Sequence, residues 1–264
     1  MSDWLLEADG LRKTFNPGRS TSFDAVRDVS ISILPGENVG LVGDVGAGKS
    51  TVARMLTGFL PPDHGSVRVE GTDVATLGRK ELLALPGRVH LIPQDLGSVL
   101  PSRARVGRVV EEPLDWVRTE PDLRPALVHA ALTAVALPAD DMMDRKVSVL
   151  SAAARARVAL ARALILRPRL VVADEVTALL DPTAAADLVQ LMAELGILHE
   201  VGYLFVTRDL GLAEFLCDRL VIMDEGRIVD QGQTDLVMSR PLHPRSKELV
   251  EAARRQREPE ADAG

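Results

Sequence analysis

Between an apolar run at residues 38–42 and a helix-forming stretch at 50–60 lies Gly43-Asp44-Val45-Gly46-Ala47-Gly48-Lys49-Ser50. No other feature constrains the fold as tightly. Its spacing is that of the glycine-rich phosphate loop, G-x-x-x-x-G-K-[ST], which functions at the junction of a strand and a helix. The preceding run suits a strand buried on both faces, and the following stretch is stopped by Pro61-Pro62. Glycines let backbone N–H groups curl around phosphate oxygens where side chains would obstruct them. The helix N-terminus adds the positive end of its dipole. Lys49 would reach the β- and γ-phosphates, and the Ser50 hydroxyl would ligate Mg²⁺. The plain alternative is a glycine turn that happens to precede a lysine. Chance supplies such a match in roughly one chain in a hundred of this size, and the strand–loop–helix context lowers that further. The loop implies nucleotide binding, with Gly43 to Ser50 and the adjoining Thr51 as candidate contacts.

A phosphate loop needs a carboxylate to hold its metal and a group to position water. Leu170-Val171-Val172-Ala173-Asp174-Glu175 offers both after a strand-like run: Asp174 to orient Mg²⁺, Glu175 to polarise the attacking water. Alone, two acids after a strand would read as a solvated turn; beside the phosphate loop they become a candidate metal ligand and general base. Further strand-like runs fall at 26–34, 66–69, 88–92 and 203–207, and 218–223 with 227–230 reads as a hairpin turning at Glu225-Gly226. Helical spacing governs 108–117, 123–135, 153–166 and 183–198. The fold class is therefore α/β: a P-loop NTPase core with a mainly parallel sheet, an N-terminal antiparallel β subdomain and an inserted helical subdomain at about 95–167. Residues 5–250 form the domain; 251–264 offer almost nothing to bury and read as a flexible C-terminal tail.

Composition narrows the function classes. The 264 residues are 46% hydrophobic and 26% charged, enough for a real core. A net charge of -7 argues against a nucleic-acid partner. The lone cysteine, Cys217, excludes an internal disulfide or a Cys-based zinc site and reads as an inert buried thiol. His64, His90, His129, His199 and His243 lack metal-ligand spacing. Trp4 and Trp116 are too far apart for a stacking platform. No run approaches the roughly 18 apolar residues of a membrane span, and MSDWLLEADG lacks a basic-then-apolar leader, so a soluble, unsecreted chain is expected.

Further along the chain stand, in order, Gln94 in LIPQD, Leu150-Ser151-Ala152-Ala153-Ala154-Arg155, Ala178-Leu179-Leu180-Asp181, and Val206-Thr207-Arg208-Asp209. With the phosphate loop and LVVADE, they make the chain resemble the ATP-binding subunits of ABC transporters over nearly its whole length. The resemblance implies that Gln94 is the Q-loop glutamine, which touches the metal and attacking water and senses a membrane partner. Ser151 stands in the signature loop, LSGGQ in the family, Asp181 in the D-loop, and Arg208 where the switch histidine belongs. Phe15, in LRKTF, matches the aromatic that stacks on adenine; a core phenylalanine is the equally weighted alternative. PQDLGSVLPSRARVGRVVEEPL and Arg240-Pro241-Leu242-His243-Pro244 are similar to segments of the peptide, opine and nickel uptake group. The likeness implies ATP with Mg²⁺ as ligands, transmembrane permease subunits as partners, room for a solute-binding protein, and a peripheral place on the cytoplasmic face of the membrane. Two such subunits sandwich ATP head to tail, each nucleotide lying between one phosphate loop and the other chain's signature loop.

Two departures from that pattern carry weight. Ser151 is followed by three alanines, each adding a Cβ where the γ-phosphate approaches and disfavouring φ > 0. Losing one donor aimed at developing charge costs about 2.7–4 kcal/mol. Arg208 offers donors only, so it cannot relay between Glu175 and the γ-phosphate as a neutral histidine does. It pairs either with the phosphate or with Glu175. The expectation is a subunit that binds ATP·Mg²⁺, hydrolyses it feebly, and works as the degenerate half of a heterodimer, because a homodimer would combine both defects at each site. The alternatives are motif drift without consequence, a non-hydrolysing regulatory subunit, and a soluble relative in translation or DNA repair. The last fits poorly without tandem cassettes or long coiled-coil insertions.

Overall fold

A computed structural model describes residues 4–18, 21–117 and 119–257. In chain order the elements are β1 (Leu6–Gly18), β2 (Thr21–Ile33), β3 (Val39–Val42), α1 (Lys49–Leu56), β4 (His64–Val69), β5 (Thr72–Asp73), α2 (Arg79–Ala84) and β6 (Val89–Ile92). Then come α3 (Val106–Glu111), α4 (Arg124–Ala134), α5 (Ala139–Met142), α6 (Ala152–Leu164), β7 (Leu170–Asp174), α7 (Pro182–His199) and β8 (Gly202–Thr207). The chain closes with α8 (Leu210–Leu216), β9 (Arg219–Asp224), β10 (Arg227–Gln233), α9 (Thr234–Ser239) and α10 (Pro244–Arg257).

Two sheets result. The antiparallel one runs β2-β1-β4-β5, and the larger runs β10-β9-β3-β8-β7-β6. In the larger sheet β9, β3, β8, β7 and β6 are parallel, and β10 returns antiparallel on β9 through the turn at Glu225-Gly226. This is the α/β architecture expected, with the antiparallel sheet at the N-terminal side. The continuous apolar runs in β3, β7 and β8 exist because these strands are buried on both faces. Leu41, Leu170, Val172, Leu204 and Val206 pack with α1 and the antiparallel sheet. Val42, Val171, Ala173, Tyr203 and Phe205 pack on the other side with residues of α3 to α8.

Several boundaries differ from expectation. β1 was not legible as a strand; it arises from pairing with both β2 and β4, with register shifts along its length. α1 ends at Leu56, four residues early, because Gly58 takes a left-handed φ of +74° just past its end. The expected helix at 108–117 begins instead at Val106 and tightens into a 3-10 turn at Glu112–Asp115, where Pro113 supplies no N–H. The reading of a flexible tail from 251 is corrected: α10 continues to Arg257 and buries Val250 and Ala253 against the body. Residues 258–264 lie outside the described residues. Cys217 is buried, and burial pushes its thiol pKa well above the usual range.

Candidate functional site

The larger sheet places four adjacent strands side by side: β3, β8, β7 and β6. Each parallel strand releases one piece of the candidate site from its carboxyl end, where α/β sheets bind ligands. β3 leads into the phosphate loop, β8 into Arg208, β7 into Asp174 and Glu175, and β6 into Gln94. Register fixes their heights, with Val42 beside Thr207 and Asp174 beside Val206.

The phosphate loop is held by close backbone packing. A Cβ on Gly43 would stand 2.3 Å from the Met223 carbonyl oxygen. Gly48 precedes α1 at φ +97°, where a Cβ would meet the Ala25 carbonyl oxygen at 2.3 Å. Lys49 is buried and donates from Nζ to the Gly43 carbonyl at 2.7 Å and the Asp44 carbonyl at 2.8 Å. Burial lowers its ammonium pKa from the usual lysine range, and Glu175 opposes that shift. Val45, Gly46, Gly48, Lys49, Ser50 and Thr51 line a cavity of about 250 Å³ together with Gln94, Glu175 and Arg208. Gly43, Asp44 and Ala47 shape the loop from outside that lining.

Asp174 and Glu175 end their strand in different environments. Asp174 is buried; its Oδ1 accepts from Ser50 Oγ at 2.9 Å, and its Oδ2 has no hydrogen-bond partner. Burial pushes its carboxyl above the usual range, and the Ser50 hydrogen bond opposes the shift. A buried carboxylate oxygen without a donor, beside a serine hydroxyl, has the donor set that suits a hard divalent cation such as Mg²⁺. Glu175 adopts a left-handed φ of 49°, a strained backbone state of the kind that collects at functional sites. Its N–H donates to the Val206 carbonyl at 2.9 Å, which ties β7 to β8 at the site. Both its carboxylate oxygens are engaged. Oε1 faces Lys49 Nζ at 3.3 Å, and Oε2 accepts from Gln94 Nε2 at 3.0 Å with Arg208 Nε at 3.9 Å. Of the two pairings open to Arg208 in the sequence, the fold contains the one with Glu175.

Other expected residues lie elsewhere. Ser151 caps α6, its Oγ accepting from the Ala154 N–H at 3.2 Å, and Asp181 caps α7, accepting from Ala184 at 2.9 Å. Neither lines the cavity beside Lys49. The concern that alanines after Ser151 would resist positive φ is corrected: α6 begins at Ala152, where φ is negative and alanine is the favoured helix former. Phe15 does not line the cavity; it stacks on Phe23 at 6.0 Å between ring centroids, and Phe23, half exposed, forms the wall. Phe23 and Ala25 were missed. The signal that would have found them is the hairpin register, which sets Phe15 opposite Phe23.

The fold matches known proteins. The family model described as ABC transporter matches residues 26–178. The chain belongs to the ABC transporter family. It is 37% identical to the nickel import ATP-binding protein NikE of Rhodospirillum rubrum, covering 94% of this chain and 91% of that protein. It is 35% identical to the oligopeptide transport ATP-binding protein OppF of Streptococcus mutans, covering 94% and 81%. Among solved structures, the dimeric ATP-binding cassette MJ0796 bound to ADP and Pi superposes with a TM-score of 0.78 at 24% identity, covering 87% of this chain and 98% of that one. CbiO1 of Clostridium perfringens, part of the transporter complex cbiONQ, gives a TM-score of 0.78 at 25% identity, covering 90% and 92%. As a member of this family, the chain carries the P-loop NTPase fold.

Proposed function

We propose that this chain is the ATP-binding subunit of an ABC importer for peptides or related small solutes, and the weaker half of a heterodimer. It sits peripherally on the cytoplasmic face of a membrane against permease subunits, which residues at about 95–167 meet as a helical subdomain. A solute-binding protein completes the assembly. No helix among the described residues is long and apolar enough to cross a membrane, which accords with that place. The relatives named for nickel and oligopeptide transport support the cargo class.

The observation that carries the reading is the convergence of Lys49, Ser50, Asp174, Glu175, Gln94 and Arg208 at four adjacent strand ends. Loop N–H groups and Lys49 hold the polyphosphate. Ser50 and Asp174 would hold Mg²⁺, which would neutralise phosphate charge when bound. Glu175 orients and polarises the attacking water, with Gln94 donating to Oε2. For that role Glu175 must exchange Lys49 for the nucleotide while retaining a free lone pair, and Arg208 beside Oε2 competes for it. Feeble hydrolysis is the consequence. Ser151 and the first turn of α6 face the nucleotide of the second subunit, which supplies an intact loop in return.

A second reading, a regulatory ATP-binding subunit that closes the dimer without chemistry, is favoured by the same engagement of both Glu175 oxygens. Titration with labelled nucleotide tests binding: saturable uptake that needs Mg²⁺, and loses that need in Asp174→Asn, is expected. No saturable uptake sinks both readings. Phosphate release by the assembled complex, with Glu175→Gln as control, separates them. Co-purification with integral membrane proteins is expected; ribosomes or DNA would point elsewhere.

A further inference from the structure

The segment Arg240-Pro241-Leu242-His243-Pro244 delivers the chain into α10, whose first turn comes back to the phosphate loop. Arg245 Nη2 donates to Asp44 Oδ2, joining residues 201 positions apart, while its Nη1 donates to Glu248 Oε2 at 2.6 Å. His243 Nδ1 accepts the Arg245 N–H at 3.2 Å, which fixes the base of the arginine side chain. Farther along the helix, Leu249, Ala252 and Ala253 wall a cavity that Glu175 and Arg208 also line. α10 therefore borders both the loop and the carboxylate end of the site.

Asp44 is an awkward residue for its position. Its carbonyl accepts from Lys49 Nζ at 2.8 Å, so the residue belongs to the loop that Lys49 ties together, just outside the cavity lining. Its carboxylate adds negative charge to a loop that receives a polyanion. Arg245 is the cation paired with it, and the arginine is more sheltered than the aspartate, with side-chain exposures of 25% and 57%. Sheltering one partner weakens solvent screening of the pair.

We propose that Arg245 is a positioning residue for nucleotide binding: from α10 it cancels the Asp44 charge at the edge of the phosphate loop. The proposal rests on the nucleotide-binding reading. Charge cancellation and simple bracing differ in outcome. A brace fails equally when either partner is removed. Cancellation predicts opposite signs, because removing the arginine exposes a repelling carboxylate and removing the aspartate frees an attracting guanidinium.

The test is titration of the full chain with a fluorescent ATP analogue and Mg²⁺. Arg245→Gln should weaken affinity about two- to fivefold, the range an exposed pair commands, and the loss should shrink as salt rises. Asp44→Asn should tighten it. The double variant should return to the wild-type value, and Arg245→Lys should retain it. Equal weakening by Arg245→Gln and Asp44→Asn, without recovery in the double variant, overturns the proposal. So does an unaffected Arg245→Gln in a chain whose wild type binds. A wild type with no saturable binding overturns the nucleotide reading and this proposal together.

Discussion

Arg208 Nε lies 3.9 Å from Glu175 Oε2, the same oxygen that accepts the Gln94 amide. A guanidinium there competes with an attacking water for the lone pairs of that oxygen. Arg208→His replaces a pure donor with a ring that accepts one hydrogen bond and donates another. Steady-state phosphate release at saturating ATP·Mg²⁺ should rise about a hundredfold, the lower end of acid–base effects. Robust turnover in the wild type with no gain in the variant would refute attenuation by Arg208.

Ala152 and Ala153 open α6 directly after Ser151. Glycine at both positions removes two Cβ atoms from the helix start that the proposed function turns toward the second subunit's nucleotide. Thermal melts should show a cost of no more than about 1 kcal/mol per glycine, while turnover should rise only when the partner subunit is present. Equal stimulation of the isolated chain would place this loop in the wrong nucleotide site.

Gly46 and Gly48 both carry positive φ, at 83° and 97°, yet their surroundings differ. A Cβ at Gly46 meets nothing within 4 Å, whereas one at Gly48 meets the Ala25 carbonyl oxygen at 2.3 Å. Gly46→Ala should therefore cost only left-handed strain, about 1–2 kcal/mol. Gly48→Ala must move the loop against β2 and should abolish labelled-nucleotide uptake. A paired titration that ranks the two variants the other way contradicts the backbone described here.

His90 is buried in β6, stacked on Trp116 at 6.2 Å, with the Arg162 guanidinium 5.2 Å over that indole. Burial first, and Arg162 second, depress its pKa from 6.5 to about 4. The folded protein therefore holds fewer protons than the unfolded chain between those values. His90's contribution is fully present above about pH 6.5 and is lost as pH falls towards 4, a change of about 3 kcal/mol. Urea melts across that window should show the decline, and His90→Phe, which keeps the stack, should flatten it.

Much of the site was readable because its parts are contiguous in sequence. Gly43 to Ser50 and Asp174-Glu175 each come after an apolar run that only a buried strand explains, so their strand-end placement came with the motif. Gln94 and Arg208 needed the family resemblance, and the fold sets both beside Glu175. What could not be read depends on distant pairing. β1 alternates poorly because its pairing slips register repeatedly, so Phe23 as the cavity wall stayed hidden. The stretch from 251 offered too little to bury, yet Leu249, Val250, Ala252 and Ala253 recur at helical spacing and find the body to pack on. The alanines after Ser151 were judged by glycine's freedom when helix initiation was the relevant property.

β6 is the outermost strand of its sheet, laced to a neighbour on one side only, whereas β3, β8 and β7 are each laced on both. The loop that carries Gln94 thus hangs from the least anchored of four otherwise level supports. A push on the helices between β6 and β7 can tilt that one support while its three companions hold station. Displacement there would strip a hydrogen bond from Glu175 and leave the Lys49 contacts within the phosphate loop standing, so mechanical strain is felt at that carboxylate before it is felt at the loop.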